Sequence, residues 1–345
     1  MLEPKISIII PVYNPGEYLK VCLDTIIHQT YSNFEVLAIN DGSTDYSYKL
    51  LKEYANKDER IRVFYQENQG PAAARNLGLE QATGDYVTFI DADDYVKSNY
   101  LERLVTEIQS SGAEIAISDY YRYDDKTNLL YYHLFGDDYQ VLELTPDEVL
   151  RKLQELVITM IGGKLVQTDL FNRVRFRVGH GYEDTFTVQK LYLQATKIVY
   201  VKENLYCYRL TNDSVMDSDL TLTKIADLLT AIEENVLDLA FSGRDIQLPK
   251  NMYITYLYEF SRYFEDREML DHPLYRKIQL RLFELGEKIW FFEDCYCDLN
   301  YNRVLIYYKF MRWLFQMQKR YGQWKIKMTY LLLKSNWHSR KHHLT

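Results

Sequence analysis

Blocks of apolar residues alternate with amphipathic stretches over the first hundred residues of the chain. The continuous apolar runs are typical of strands buried on both faces, and they lie at residues 5–11, 34–39, 62–65 and 86–90. The intervening stretches predict helices, among them residues 19–27 and 71–81. Strands that alternate with helices in this way predict a mostly parallel sheet flanked by helices on both faces.

After residue 98 the pattern is mixed, and from Leu222 onward it is helical. Thr145, Pro146 and Glu148 have the spacing of a capping box at the start of a helix. Further predicted elements are helix 99–110, strands 114–118, 197–201 and 205–208, and helical stripes at 251–265, 273–289 and 301–318. We therefore predict an α/β domain at 1–218, with halves 1–98 and 99–218, and a helical region at 219–345.

Polar loops follow the four predicted strands, at residues 11–14, 40–45, 66–70 and 91–94. In such sheets ligands bind beyond the carboxyl ends of the strands. On an extended chain Asp91 and Asp93 point the same way, and their paired oxygens suit Mg²⁺ or Mn²⁺. An isolated Asp-x-Asp is also typical of a solvated strand end, but the four polar loops at one edge favour a site.

Composition narrows the class of protein. A hydrophobic content of 47% and a charged content of 26% are those of an ordinary globular protein. The four cysteines form no Cys-x-x-Cys pair and no signal-peptide pattern precedes Ile6, which predicts a cytoplasmic protein with reduced thiols. No stretch approaches the roughly 18 to 20 apolar residues of a membrane span. A net charge of −8 argues against a general nucleic-acid binder.

The last residues of the chain have the opposite charge from the rest. Residues 303–345 carry ten Lys or Arg and no Asp or Glu, which leaves a net charge of −18 on the preceding 302 residues. This basic tail is also rich in aromatic residues, a mixture that can lie on an anionic membrane surface. An amphipathic helix packed on its own domain, or on a second copy of the chain, explains the pattern equally well.

Four motifs carry a resemblance to a known family. They are Ser7–Asn14, Asn40–Asp45, Asn68–Asn76 and Asp85–Asp94. In this order and spacing they resemble the family 2 glycosyltransferases of the GT-A (Rossmann-like) fold, of the type that builds bacterial cell-surface polysaccharides or glycoproteins. The resemblance continues more weakly to about Met216 and leaves out the helical third. It implies an inverting enzyme that moves a single sugar from a nucleotide sugar, here a UDP-sugar, to a saccharide, lipid-linked glycan or glycoprotein.

The resemblance also assigns residues to the donor. Pro11, Tyr13 and Asp41 would hold the nucleotide base, and Asp41 can accept a hydrogen bond from the imide N–H of uracil. The ribose and phosphates would be lined by Asn68, Gly70, Ala73 and Arg75. Small residues at this helix start are also typical of close helix packing. Asp91, Ala92 and Asp93 would bind the complex of the diphosphate with Mn²⁺ or Mg²⁺, with Asp91 and Asp93 as metal ligands.

Glu183 and Asp184 resemble the acidic pair that this family carries before an acceptor-side helix. We assign Asp184 as the general base and Glu183 as its neighbour or an acceptor contact, although both also complement a helix N-terminus. Lys164 is a further expected donor contact, in a Gly-Lys-Leu sequence where many relatives have Asn-Lys-Leu. Arg209 is expected to close over the diphosphate with Ser214, or else to serve as a structural ion-pair partner.

Two other functions compete with a transferase. One is a non-catalytic interaction subunit that keeps the fold, which the intact Asp41, Asp91, Asp93 and Asp184 argue against. The other is a nucleotidyltransferase, which the lack of a Gly-rich pyrophosphate loop near the N-terminus argues against. His28, His133 and His180 show no metal-ligand spacing and are predicted to be surface or core residues. We expect a cytoplasmic enzyme, peripheral at the inner face of the membrane or oligomeric through its C-terminal helices.

Overall fold

The computed structural model describes residues 3–125, 127, 129–132, 139–152, 159–211 and 220–285. Ser214, His133, the predicted helix 301–318 and the basic tail lie outside the described residues. The chain divides into two compact units, Met1–Tyr256 and Leu257–Thr345.

The first four strands form one parallel sheet, as the sequence predicts. They are β1 (Ile6–Val12), β2 (Phe34–Asp41), β3 (Ile61–Gln66) and β4 (Tyr86–Phe89), and they lie side by side in the order β3-β2-β1-β4. In register, Ile6 lies opposite Phe34 on one side and Tyr86 on the other. The helices between them are α1 (Tyr18–Ile27), α2 (Ser47–Ala55) and α3 (Pro71–Gln81). All four carboxyl ends therefore meet at one edge.

The sheet continues beyond β4 with strands of both directions. They are β5 (Tyr95–Val96), β6 (Ile115–Asp124), β7 (Leu129–Tyr132), β8 (Val141–Leu144), β9 (Lys164–Gln167) and β10 (Ile198–Leu210). Strand β9 lies antiparallel between β4 and β6, whereas β6 and β10 are parallel. The two strands predicted at 197–201 and 205–208 form the single strand β10, whose register shifts between Val201 and Tyr206.

Three helices accompany this second half of the sheet. They are α4 (Tyr100–Ser111), α5 (Pro146–Lys152) and α6 (Glu183–Gln194). At the start of α5, the Thr145 N–H donates to Glu148 Oε2 (2.8 Å) and the Glu148 N–H donates to Thr145 Oγ1 (3.3 Å). The predicted capping box is thus confirmed.

The core lies in two layers, one on each face of the sheet. Along β1, Ile6, Ile8 and Ile10 belong to one buried cluster and Ile9 to the other. Because successive side chains of a strand point to opposite faces, a run of consecutive isoleucines is what a strand covered on both sides requires.

The C-terminal helices are α7 (Leu222–Phe241), α8 (Gln247–Glu265) and α9 (Pro273–Glu284). Helix α7 packs on α6 within the first unit, and the division between the units falls inside α8. The predicted domain boundary between residues 218 and 219 stays a prediction. In the described part of the second unit, Phe264 is buried against Tyr275 and His272. No helix in the described ranges is long and apolar enough to cross a membrane.

Candidate active site

The loops after β1, β2 and β3 are tied together at the carboxyl edge of the sheet. Asn14, in a left-handed backbone conformation with φ 48°, accepts hydrogen bonds at Oδ1 from the N–H groups of Thr44 (2.8 Å) and Asp45 (3.3 Å). Gly42 lies so close to Asn68 that an added Cβ would be 2.8 Å from the Asn68 nitrogen. The expected donor residues of these loops therefore share one edge, with Tyr13 and Asn68 exposed and Pro11 half-buried.

Asp41, buried at the end of β2, organises the start of α3. Its Oδ1 accepts from the Gln69 N–H (2.9 Å) and from Gln66 Nε2 (2.7 Å), and its Oδ2 accepts from the Gly70 N–H (2.8 Å). Gly70 has φ 86°, a conformation that favours glycine, and Ala73 is half-buried in the first turn of α3. The carboxylate of Asp41 thus has partners within the chain, and its predicted contact with the base stays a prediction.

Arg75, buried on α3, joins three carboxylates from distant parts of the chain. Its guanidinium donates to Asp91 Oδ1 (2.7 Å) and to Glu183, and it lies 3.7 Å from Asp184 Oδ1. Its side chain is only 4% exposed, and its guanidinium lies 5.5 Å from the ring of Phe176. Burial lowers the pKa of Arg75, but the three carboxylates raise it by more. The predicted contact of Arg75 with ribose and phosphates stays a prediction.

Two residues of β10 hold the Asp91–Asp94 loop through its backbone and through the Asp94 carboxylate. The hydroxyl of Tyr206 donates to Asp94 Oδ2 (2.6 Å) and accepts from the Asp91 N–H (3.2 Å). The Arg209 N–H donates to Asp94 Oδ1 (2.8 Å), and Arg209 Nε donates to the Asp93 carbonyl (2.8 Å). Arg209 also forms an ion pair with Asp125 at 2.8 Å, so it has the structural role that the sequence left open. Its contact with the diphosphate stays a prediction.

The sequence reasoning missed Asp94 and Tyr206. Asp94 is visible in the sequence only as a third carboxylate after the strand, and no signal links it to Tyr206, which is 112 residues away.

The Asp91–Asp94 loop carries more negative charge than its surroundings favour. Burial, and then the charge of Asp91, raise the pKa of Asp93 to about 6. Burial and the charges of Asp93 and Asp91 raise the pKa of Asp94 well above its ordinary value. A bound cation would relieve this repulsion, so Asp91 and Asp93 fit a divalent metal ion. Among the described residues no group of three or more His, Cys, Asp or Glu could hold a metal alone, and a donor diphosphate would have to complete the ligand set.

Asp184 lies in the first turn of α6, and only one of its two carboxylate oxygens accepts a hydrogen bond. Its Oδ2 accepts from the Ile161 N–H (3.0 Å), and its buried Oδ1 accepts no hydrogen bond. Burial raises the pKa of Asp184 to about 7; Arg75 opposes this rise, and the charges of Glu183 and Asp91 add to it. A carboxyl group with a pKa near neutrality suits proton abstraction at cellular pH.

Lys164, at the start of β9, is buried beside this carboxylate. Its Nζ donates to the Met160 carbonyl, and burial lowers its pKa to about 7 although the charge of Asp184 opposes the change. The preceding Gly163 has φ 75°. This conformation favours Gly, and Asn is among the few other residues that tolerate it.

Comparison with known proteins fits this geometry. A family model described as "Glycosyl transferase family 2" matches residues 7–175. Glycosyltransferase GlyG of Streptococcus pneumoniae serotype 4 is 34% identical over 284 residues, which cover 80% of this chain and 94% of that protein. The chain belongs to the family 2 glycosyltransferases.

Other similarities extend across the fold of this family 2 glycosyltransferase. Glycosyltransferase GlyA of the same organism is 37% identical over 255 residues, which cover 72% of this chain and 36% of that protein. The crystal structure of S. aureus TarS 1-349 in complex with UDP-GlcNAc has a TM-score of 0.57 at 19% identity and covers 84% of this chain and 94% of that one. This likeness confirms the predicted GT-A fold.

Proposed function

We propose that this glycosyltransferase moves one sugar from a UDP-sugar to a saccharide hydroxyl with inversion of configuration. The observation that carries the proposal is the position of Arg75, which joins Asp91 of the donor motif to Glu183 and lies near Asp184. This contact brings the carboxylates expected at the diphosphate and the expected base into one site.

Asp184 is the general base of this proposal. Its carboxylate takes the proton of an acceptor hydroxyl while that oxygen attacks the anomeric carbon of the donor. The bond from this carbon to the diphosphate breaks, and UDP leaves with the bonding electrons. A base placed in this way contributes typically 10² to 10⁴ in rate. One displacement from the face opposite the leaving group inverts the anomeric centre.

In this proposal the donor binds at the carboxyl edge of the sheet. Pro11, Tyr13 and Asp41 hold the base, while Asn68, Gly70 and Ala73 line the ribose and phosphates. The UDP-GlcNAc complex of the structurally similar TarS supports a UDP-sugar as the donor class. Lys164 lies buried beside Asp184 and adds positive charge there when protonated.

Asp91 and Asp93 hold Mn²⁺ or Mg²⁺ in this proposal, with Ala92 leaving space between them. When bound, such an ion would neutralise the charge that develops on the departing diphosphate. The chain's own part is to position the two residues: Arg75 holds the Asp91 carboxylate, while Tyr206 and Arg209 hold the backbone of Asp91 and Asp93.

The acceptor class is a glycan, glycolipid or glycoprotein, and the basic tail favours an acceptor at the inner face of the cell membrane. The opposite charges of the tail and the rest of the chain support this placement, because a basic aromatic segment is attracted to anionic lipid.

A donor screen tests the proposal. Release of UDP would be measured from UDP-glucose, UDP-galactose, UDP-N-acetylglucosamine and UDP-N-acetylgalactosamine, with Mn²⁺ or Mg²⁺ and without metal. We expect one donor to be cleaved, with metal dependence. Asp184→Ala should lower the rate at least a hundredfold, in the range expected for a general base, and Asp93→Ala should lower it as well because the metal loses a ligand. Asp266→Ala, at an exposed position of the second unit, is the matched control. If neither metal supports cleavage of any donor, the proposal fails and the non-catalytic interaction subunit replaces it.

A further inference from the structure

The four residues Gly179–Tyr182, called here the His180 turn, precede the acidic pair of α6. Gly179 has φ 81° and Tyr182 has φ 58°. A left-handed backbone is unfavourable for a bulky residue such as Tyr182 and persists only where the surroundings enforce it. Such strain is concentrated at functional sites, so the contacts that enforce it point to the purpose of the turn.

Asp227, on α7, supplies those contacts. Its Oδ1 lies 2.8 Å from His180 Nδ1, and its Oδ2 accepts from the Gly181 N–H at 2.8 Å. Each oxygen of one carboxylate therefore holds a different part of the turn. The Asp227 side chain is only 13% exposed, so the carboxylate itself is largely shielded from water. Asp227 fixes both the backbone of the turn and the orientation of the imidazole ring.

This arrangement leaves the second ring nitrogen of His180 available. A carboxylate can only accept, so Nδ1 carries the proton in the neutral ring and Nε2 presents a lone pair. Within the described part of the chain Nε2 has no hydrogen-bond partner, and 34% of the His180 side chain is exposed. The centre of the Phe186 ring lies 5.8 Å from the centre of the imidazole ring.

We propose that His180 Nε2 accepts a hydrogen bond from a hydroxyl group of the acceptor saccharide, with Asp227 as the residue that positions it. The proposal rests on the proposed function. The turn belongs to the acceptor side because it leads directly into Asp184, whereas the donor motifs lie at the ends of β1 to β4. An added Cβ at Gly179 would meet no atom within 4 Å, so there is open space beside the turn.

The key variant is His180→Asn. The amide nitrogen of Asn occupies the place of Nδ1 and can still donate to Asp227, but no atom replaces Nε2. His28→Asn is the matched control, because His28 Nδ1 also contacts an oxygen acceptor, the backbone carbonyl of Asp24, at an exposed position that directly follows α1.

Methyl β-glycosides of glucose, galactose, N-acetylglucosamine and N-acetylgalactosamine serve as acceptor probes. The readout is UDP release from the cleaved donor with each glycoside and in water alone. We expect the KM of the best glycoside to rise roughly threefold to tenfold in His180→Asn, the loss of one hydrogen bond, while its KM in His28→Asn stays at the wild-type value. Asp227→Asn, which places an amide against the two N–H donors, should raise the same KM.

Three results would overturn the inference. The first is an unchanged KM for the glycoside in His180→Asn. The second is an equal loss of rate with glycoside and with water in His180→Asn and Asp227→Asn. The third is a wild-type enzyme whose rate of UDP release no glycoside raises above the rate in water. Each is distinct from failure of the proposed function, in which the wild-type enzyme releases no UDP from any donor at all.

Discussion

The protonation of Asp184 sets the pH dependence of the proposed reaction. Burial raises the pKa of this carboxyl to about 7, and Arg75 opposes the rise because its positive charge favours the carboxylate. Since a base acts only when deprotonated, kcat/KM for donor cleavage should increase with pH and level off above about 7. Arg75→Gln removes the opposing charge and should move this increase to higher pH. Arg75→Lys keeps the charge and should move it less. A Gln variant whose pH–rate profile stays in place or moves to lower pH contradicts the assignment.

Replacing Tyr206 tests whether a residue that does not touch the donor supports donor binding. Tyr206→Phe keeps the ring but removes the hydroxyl that bonds Asp94 and the Asp91 N–H. The buried Asp94 carboxylate then loses one hydrogen-bond donor, which should lower the free energy of unfolding by about 1 to 3 kcal/mol. The KM for donor should rise several-fold, because the Asp91–Asp94 loop loses a support. Tyr31→Phe removes a hydroxyl that bonds the Pro4 carbonyl, away from the site, and should leave the donor KM unchanged. Equal donor KM values in the two variants would show that Tyr206 serves stability alone.

Residue types at strand ends were predictable from the sequence, but their partners were not. The Asp91–Asp94 loop is visible because an apolar run stops in carboxylates. The contact of Arg75 with Glu183 joins residues 108 positions apart, and no local pattern reports such a pair. The position of Gly163 is an intermediate case. The sequence shows that a glycine stands there, but only the structure shows that its φ is positive.

At the scale of elements, the close packing of α3 on β1 can be tested by substitution. An ideal Cβ built on Gly78 of α3 would lie 2.4 Å from Ile9 Cγ2. Gly78→Ala should therefore lower the free energy of unfolding by about 1 to 3 kcal/mol, although alanine favours helices. Glu80→Ala, at an exposed position of the same helix, should change it by less than about 0.5 kcal/mol. Chemical denaturation measures both, and a stabilised Gly78→Ala protein would contradict the packing.

Elements with strong periodicity were predictable, and those defined by distant pairing were not. Strands β1 to β4 and helix α3 follow from apolar runs and helical spacing in a single stretch of chain. Strand β9 is only four residues long and lies antiparallel between β4 and β6, and the closely packed Gly162 precedes it. There, a Cβ on Gly162 would lie 2.9 Å from the Tyr206 ring. The sequence shows that this segment is Gly-rich, but it does not show that the segment packs on the ring of Tyr206.

At the scale of the whole molecule, α7 packs on the helix that carries the proposed catalytic pair, and both helices lie in the first unit. Besides Asp227, its Asn235 Nδ2 donates to the Thr185 carbonyl (2.9 Å), and Glu234 pairs with Arg177. These contacts hold the segment that carries Glu183 and Asp184. The helical period of α7 was predictable, but its attachment to the acidic pair depends on polar contacts between residues about fifty positions apart.

The basic tail predicts that the full chain binds anionic membranes. A chain that ends at residue 302 lacks the ten Lys and Arg of the tail. If the tail lies on an anionic membrane, this chain should fail to co-sediment with phosphatidylglycerol vesicles that retain the full chain, and salt should release the full chain. Both chains should still release UDP from the donor. Equal sedimentation of the two chains would instead favour a tail packed on protein.

The configuration of the released sugar tests single displacement at Asp184 most directly. The cleaved α-linked UDP-sugar would be hydrolysed in deuterated buffer, with water as the acceptor, and the anomeric proton signals followed by NMR before the sugar mutarotates. Inversion predicts that the β-anomer forms first. First formation of the α-anomer would show retention and would contradict a reaction in which Asp184 activates the attacking oxygen for a single displacement.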